Sequence, residues 1–349
     1  MEFKIGKHTL GKKYKPFIIA ELSGNHNQSL DRAKDIVKAA AEAGAHALKL
    51  QTYTADTITI NHRGGLFDIT DENSLWHGKN LYELYEEAHT PWEWHKEIFD
   101  YAKELGMEAF SSPFDETAVD FLEDLNVPAY KIASFESNHH PLLKKVASTG
   151  KPVIISSGAS KINDLLESVA VLRSSGCKNI TVLKCTSTYP ANPENSNIVT
   201  IPEFQKHFPD DLIGLSDHTM GIGVSVASVA LGARVIEKHF TLRRADGGVD
   251  SAFSLEPEEM KNLVVESERA FLALGHVQLD TQKSELASLR YKRSIYITQD
   301  IKEGEEFSPA NTRIIRPGDG LAPKHMTEVI GQVAKKNLSK GTPLRREYF

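Results

Sequence analysis

The sequence predicts an α/β protein, a (β/α)8 TIM barrel followed by a small β-rich domain. Two observations predict the barrel. Between residue 16 and about residue 275, eight short β-rich runs alternate with amphipathic helical stretches. The first strand–helix turn lacks the GxGxxG fingerprint, which argues against a doubly wound open sheet as the alternative. A third observation predicts the second domain, because after Leu274 the chain turns polar and then breaks into short β segments punctuated by Pro, Gly and charge.

The strands are read in order as Phe17 to Glu21, Ala47 to Gln51, Glu108 to Ser112, Ala129 to Ala133, Pro152 to Ser156, Ile180 to Cys185, Leu212 to Ser216 and Val235 to His239. Each is bounded by Gly, Pro, Asn or Asp, as buried strands are. Between the first two, DRAKDIVKAAAEAG has helical periodicity and Gly44 as its stop. Thr90-Pro91-Trp92-Glu93 reads as a Thr cap, a first-turn Pro and a capping-box Glu. The stretch from Thr54 to Thr90 has no clear period and reads as a loop excursion over one barrel face. The boundaries that follow are a barrel over 1–275, a polar connection over 276–290 and a β-rich domain over 291–349 containing SIYIT, TRIIRPG and KGTPL.

A chain of 349 residues can bury a core without metal or disulfide staples. Lys+Arg 41 against Asp+Glu 47 leaves −6, so no basic field recommends nucleic acid or an anionic membrane as partner. Two cysteines, Cys177 and Cys185, fit a reducing compartment, and Cys185 reads as a buried thiol without a nucleophile's surroundings. The first residues have no signal-peptide core and no apolar run reaches membrane-spanning length, so a cytoplasmic protein is expected.

Polar residues are costly inside a barrel, yet nearly every strand carries them at its C-terminal end, where barrel enzymes place their active sites. Glu21, Lys49, Gln51, Ser111, Ser112, Lys131, Ser134, Ser156, Lys184, Ser216, Asp217, His218, Glu237, Lys238 and His239 all fall there. Lys49 and Lys131, with the hydroxyls of Ser112, Ser134, Ser156 and Ser216, suit a ligand bearing phosphate and carboxylate. The competing reading is that strand lysines alternate outward toward the helices. His218 and His239 end consecutive strands and, with Glu21 or Asp250, could hold a divalent ion with open positions.

Several motifs carry a resemblance. Ala20-Glu21-Leu22-Ser23-Gly24-Asn25-His26, Lys49-Leu50-Gln51-Thr52, Ser112-Pro113-Phe114 and Tyr130-Lys131-Ile132-Ala133-Ser134 resemble the sialic acid synthase (NeuB-like) family. So do Gly214-Leu215-Ser216-Asp217-His218-Thr219 and Glu237-Lys238-His239-Phe240, and Arg316-Pro317-Gly318-Asp319-Gly320 resembles its antifreeze-like (SAF) module. The segments around Trp76, Trp92-Glu93-Trp94 and Asp246 to Ser254 are most similar to the family's pseudaminic acid synthase branch. Ser187-Thr188-Tyr189-Pro190 departs from the Asn that N-acetylneuraminate synthases often have before an apolar-Tyr-Pro.

The resemblance implies condensation of phosphoenolpyruvate with an open-chain amino sugar and release of phosphate. The acceptor of this branch is 2,4-diacetamido-2,4,6-trideoxy-L-altrose; a legionaminate or N-acetylneuraminate synthase is the alternative. It implies Glu21, His218 and His239 as catalytic residues, with the histidines on a divalent metal, Mn2+ first and Mg2+ or Co2+ as alternatives. Phosphoenolpyruvate falls to Lys49, Ser112, Lys131, Ser134, Ser156, Ser187 and Ser216. The sugar falls to Gln51, Phe114, Glu136, Tyr189, Asp250 and Arg316. The Trp76 and Trp92–Trp94 segments, rich in apolar surface, suit a 6-deoxy sugar. The implied assembly is a homodimer whose C-terminal module covers the partner's barrel. Two rivals follow from the residues alone: a Schiff-base aldolase on Lys131 or Lys49, and a binding protein whose C-terminal module adsorbs a surface.

Overall fold

Ile, Val, Leu and Ala fill strands that are buried along their whole length, the signature of a parallel sheet covered on both sides. The structure is a computed structural model and describes residues 2–349. The chain forms two compact units, Met1–Gly275 and His276–Phe349.

The first unit opens with a hairpin that the sequence reading does not anticipate, β1 (Glu2–Ile5) against β2 (His8–Gly11). Its strands are four residues each, too short to stand out by periodicity, although Phe3 and Ile5 alternate inward. The barrel strands are β3 (Phe17–Glu21), β4 (Ala47–Thr52), β5 (Glu108–Pro113), β6 (Tyr130–Ile132), β7 (Val153–Ser156), β8 (Ile180–Cys185), β9 (Leu212–Asp217) and β10 (Val235–His239). They close in sequence order, all parallel, with β10 returning to β3.

The helix Leu30–Glu42 shows how the outer layer is specified. Ser29 accepts a hydrogen bond from Arg32 N at 3.2 Å and starts it. Ala33, Ile36, Val37 and Ala40 recur at helical spacing and are buried against the barrel. Gly44, at φ +85°, takes the left-handed conformation that ends the turn.

Two expectations are corrected. Thr90 does not cap a helix: Trp92–Trp94 form a 3-10 turn, the α-helix runs His95–Glu104, and the Thr90 hydroxyl is spent on His26 Nε2 at 3.3 Å. The stretch after Thr54 is not structureless. It contains the helices Ala55–Ile58 and Leu81–Ala88, the second started by Asn80, whose side chain accepts from Glu83 N at 2.9 Å. Only Leu84 of the second helix is buried, so its apolar periodicity is faint in sequence.

The second unit packs Ile295, Ile297, Ile301, Phe307, Val329, Ala334, Leu338 and Leu344 into its own core. Its sheet pairs β11 (Ser294–Ile297) with β12 (Thr312–Ile315), antiparallel. KGTPL contributes a single bridge, Tyr296 to Pro343, rather than a strand. Within and just past the polar connection, Lys283–Tyr291 form a run of 3-10 helix. No helix among the described residues is long and apolar enough to cross a membrane.

Candidate active site

Parallel pairing sets the site in layers. His239 is level with Glu21, and Glu21 with Lys49, so three neighbouring strands present an imidazole, a carboxylate and an ammonium in one row. Glu237 is level with Ser216, two residues earlier on β10. Because side chains alternate, the intervening Lys238 points the other way. It is fully buried outside the barrel against Asp217 Oδ2, at 3.1 Å. Lys184 likewise bonds Thr186 Oγ1 at 2.7 Å, and neither lysine lines the cavity. The outward reading thus holds for Lys184 and Lys238, and fails for Lys49 and Lys131.

A cavity of about 600 Å3 opens over this row, within the range of sites for small ligands. Glu21, Lys49, Gln51, Phe114, Lys131, Ser134, Glu136, Ser156, Ser187, Tyr189, Ser216, His218, His239 and Asp250 all line it. Ser112 does not; it is fully buried behind Lys49, whose ammonium donates to its Oγ at 3.4 Å. Arg316 belongs to the second unit, just beyond β12, where Ser294 Oγ donates to Pro317 O at 2.7 Å and accepts from Gly320 N at 2.9 Å. Trp92 and Trp94 are also elsewhere. Trp92 stacks on Phe121 at 4.7 Å, and Trp94 meets His26 edge-on.

The charges are tightly paired. Lys49 Nζ lies 2.7 Å from Glu21 and 3.3 Å from Glu237, and Lys131 Nζ lies 3.6 Å from Glu237. Burial alone would raise the Glu21 carboxyl. The Lys49 ammonium, His239 and hydrogen bonds from Lys49 and Gln51 hold it well below the usual carboxylate range. Lys49 is raised, since Glu21 and Glu237 outweigh its desolvation. Lys131 is lowered, because burial outweighs the help of Glu237. Glu136 is pushed up to about 7 by burial, against Lys131, and Asp250 to about 6 by burial, against its bond from Ser23.

The two histidines face each other with ring centroids 5.3 Å apart. His239 Nε2 is 3.6 Å from Glu21 Oε2, and its Nδ1 is 3.8 Å from Asp250 Oδ2. Burial pushes His239 down to about 3, so it is neutral. His218 Nδ1 lies 3.1 Å from Thr186 O, which fixes a proton there, so that in the neutral ring Nε2 is the lone-pair donor. Burial lowers this imidazole, but Cys185, Thr186 O and Glu21 outweigh it and raise it. Cys185 is buried, as expected, but its surroundings are not bland: it lines the cavity with Sγ 3.9 Å from His218 Nδ1. Burial raises this thiol, but His218 and Ser134 bring it down to about 6.

Four polar atoms of the lining are buried without a hydrogen-bond partner: Ser156 Oγ, Glu136 Oε2, Glu237 Oε2 and His239 Nδ1. Buried polar groups are rarely left unpaired, and four around one cavity mark a place built for a polar ligand. Among the described residues no group of three or more His, Cys, Asp or Glu stands at metal-binding geometry. The orphaned His239 Nδ1 and the free Nε2 of His218 nevertheless fit a two-histidine ion site.

Sequence reasoning placed Glu237 among the polar strand-end residues without giving it a role, did not put Cys185 on the cavity, and missed Tyr53 and Gly158. Strand alternation from His239 could have put Glu237 on the cavity side. Gly158 has a backbone role: a Cβ there would sit 2.0 Å from Ser187 Oγ and 2.7 Å from Ser134 Oγ, so only glycine lets those two hydroxyls converge.

Residues 36–279 match the NeuB family and residues 292–347 match the SAF domain. Pseudaminic acid synthase of Campylobacter jejuni is 42% identical over 346 residues, covering 99% of both chains. N,N'-diacetyllegionaminic acid synthase of the same organism is 36% identical, covering 95% of this chain and 99% of the other. The crystal structure of N-acetylneuraminic acid synthetase from Leptospira borgpetersenii, in complex with citrate, superposes with a TM-score of 0.72 at 30% identity. That match covers 83% of this chain and 96% of the other. With an eight-stranded barrel, a C-terminal SAF domain and nearly full-length relatives of this kind, the chain belongs to the NeuB family.

Proposed function

We propose that the protein is a pseudaminic acid synthase, condensing phosphoenolpyruvate with 2,4-diacetamido-2,4,6-trideoxy-L-altrose and water to give pseudaminic acid and phosphate. The observation that carries this reading is the unpaired polar lining beside two buried lysines and two facing histidines. Identity of 42% to a pseudaminic acid synthase against 36% to a legionaminic acid synthase favours this branch.

In the reaction, C3 of phosphoenolpyruvate bonds to the sugar aldehyde carbon, whose oxygen takes a proton. Water adds at the cationic C2, and the C2–O bond to phosphate breaks. Lys49 and Lys131, with Ser134, Ser156, Ser187 and Ser216, hold the carboxylate and phosphate. His218 and His239 would hold a divalent ion, Mn2+ in our reading, which would supply polarisation of the aldehyde oxygen. Glu21, held ionised by Lys49, accepts a hydrogen bond from the incoming water and orients it. A base works best with a pKa near the working pH, so Glu136, near 7, is better matched to take the proton. Tyr189, Gln51, Phe114 and Asp250 face the sugar.

The deciding experiment supplies the purified protein with phosphoenolpyruvate, Mn2+ and either the altrose derivative, its legionaminate counterpart or N-acetylmannosamine, and follows phosphate and product. Pseudaminic acid from the altrose derivative is expected. Product only from another sugar moves the protein to that branch, and borohydride trapping of the enzyme with substrate would favour a Schiff-base aldolase. We further infer a cytoplasmic homodimer in which Arg316 serves the partner's site, its planar fork suited to an acetamido carbonyl. Mixing Arg316→Ala subunits with His218→Ala subunits should then restore about half of wild-type activity per heterodimer. No recovery would place Arg316 in its own subunit's site.

A further inference from the structure

The cavity's two sides differ in polarity. Strand ends supply its charges and most hydroxyls, whereas the stretch between β4 and β5 supplies Ile58, Ile69, Trp76, Leu81 and Leu84 beside the phenols of Tyr53 and Tyr85. Trp76 has one donor, its indole Nε1, and that donor is spent on Val249 O at 3.0 Å. The ring therefore offers the cavity only carbon. Ile69 is fixed by its own backbone, its N–H donating to Lys79 O at 2.9 Å and its carbonyl accepting from Gly78 N at 3.0 Å. The wall is thus held in place before any ligand arrives.

Its position relative to the reacting centre can be read from Tyr189. That ring lies 4.5 Å from His218 and 5.9 Å from Trp76. An open-chain sugar with its aldehyde at the histidines, running along Tyr189, ends against Trp76 and its neighbours. We propose that Ile69 and Trp76 determine specificity at this end of the substrate, selecting a terminal methyl group over a hydroxymethyl group. This rests on the proposed function above and adds to it the residues that discriminate. A hydroxyl placed against Ile69 and Trp76 would lose its water and find no partner on those two side chains, the kind of mismatch for which an apolar pocket discriminates by roughly ten- to a hundredfold.

The test compares kcat/KM for 2,4-diacetamido-2,4,6-trideoxy-L-altrose with that for its 6-hydroxy counterpart, in wild type, Ile69→Ser, Ile69→Thr and Trp76→Phe. Wild type should prefer the methyl sugar by roughly ten- to a hundredfold. Ile69→Ser and Ile69→Thr should cut that ratio about tenfold, mainly by better use of the hydroxylated sugar, with the KM for phosphoenolpyruvate unchanged. Trp76→Phe keeps an apolar face and should keep the preference. A ratio that stays put in both Ile69 variants overturns this inference while the proposed function stands. A wild type that uses only N-acetylmannosamine, itself a hydroxymethyl sugar, overturns both.

Discussion

At the N-terminal end of the barrel His8 and His46 lie with ring centroids 5.3 Å apart, and at the C-terminal end His218 and His239 are separated by the same 5.3 Å. Only their surroundings differ. His8 and His46 pack with Phe17, and His46 Nδ1 accepts a hydrogen bond from Ile18 N at 2.9 Å. His218 and His239 have Glu21, Asp250 and two lysines within the same cavity. Both ends also hold a hollow, about 430 Å3 beneath the hairpin and about 600 Å3 over the strand ends. Neither closeness of imidazoles nor volume distinguishes a working site from a packed one. His8 Nε2 is itself unpaired at the packed end. What distinguishes the working end is that buried carboxylates, ammonium groups and four orphaned polar atoms line the same space.

The sharpest way to break this comparison is to remove one histidine from the charged end. His239→Ala should lower kcat by on the order of 10²–10³, as loss of one electrostatic contact at a reacting oxygen does. It should also reduce bound Mn2+, measured by elemental analysis of the dialysed protein. Chelation should abolish phosphate release in the wild type, and full activity in metal-free buffer would remove the ion from the account.

A smaller effect is expected from the packed end. Burial holds His46 down at about 4, from 6.5, with His8 beside it adding to the effect. The folded state therefore binds fewer protons than the unfolded state between those values. The stability this contributes is fully present above pH 6.5 and is lost as pH falls toward 4. His46→Phe, which leaves Ile18 N unpaired, should cost about 1–3 kcal/mol near pH 7.5. Its gap from wild type should narrow on acidification by up to roughly 1.4 kcal/mol per pH unit, read from denaturant unfolding at several pH values. Turnover per folded molecule should not change. A gap that is flat with pH would mean that His46 titrates normally.

The two ends were unequally legible in the sequence. Eight apolar strands and their order were plain, because buried parallel strands leave uninterrupted runs. The polar residues at their ends were visible as exceptions to those runs, which is how Glu21, Lys49, Lys131, His218 and His239 stood out. Facing was harder. Lys49, Lys131, Lys184 and Lys238 look alike in sequence, and only register and alternation put the first two on the cavity. The hairpin at the other end escaped notice because its strands are short and its one histidine, His8, packs on Phe17 and His46 rather than joining a charged set. Trp92 and Trp94 misled for the opposite reason: aromatic surface at the foot of a helix packs against its neighbours as readily as against a ligand.

The ion pairs beneath the cavity have a consequence for how substrate arrives. Lys49 and Lys131 are matched in formal charge by Glu21 and Glu237, all with side chains only 2–3% exposed. Opposite charges a few ångströms apart cancel over distances shorter than the Debye length, about 8 Å at physiological ionic strength. Little positive field reaches the mouth from them, and the chain as a whole carries −6. An approaching trianion is therefore not drawn in by long-range attraction. It meets the lysines only on contact, where it must take them from their carboxylates, so added salt has little screening left to do.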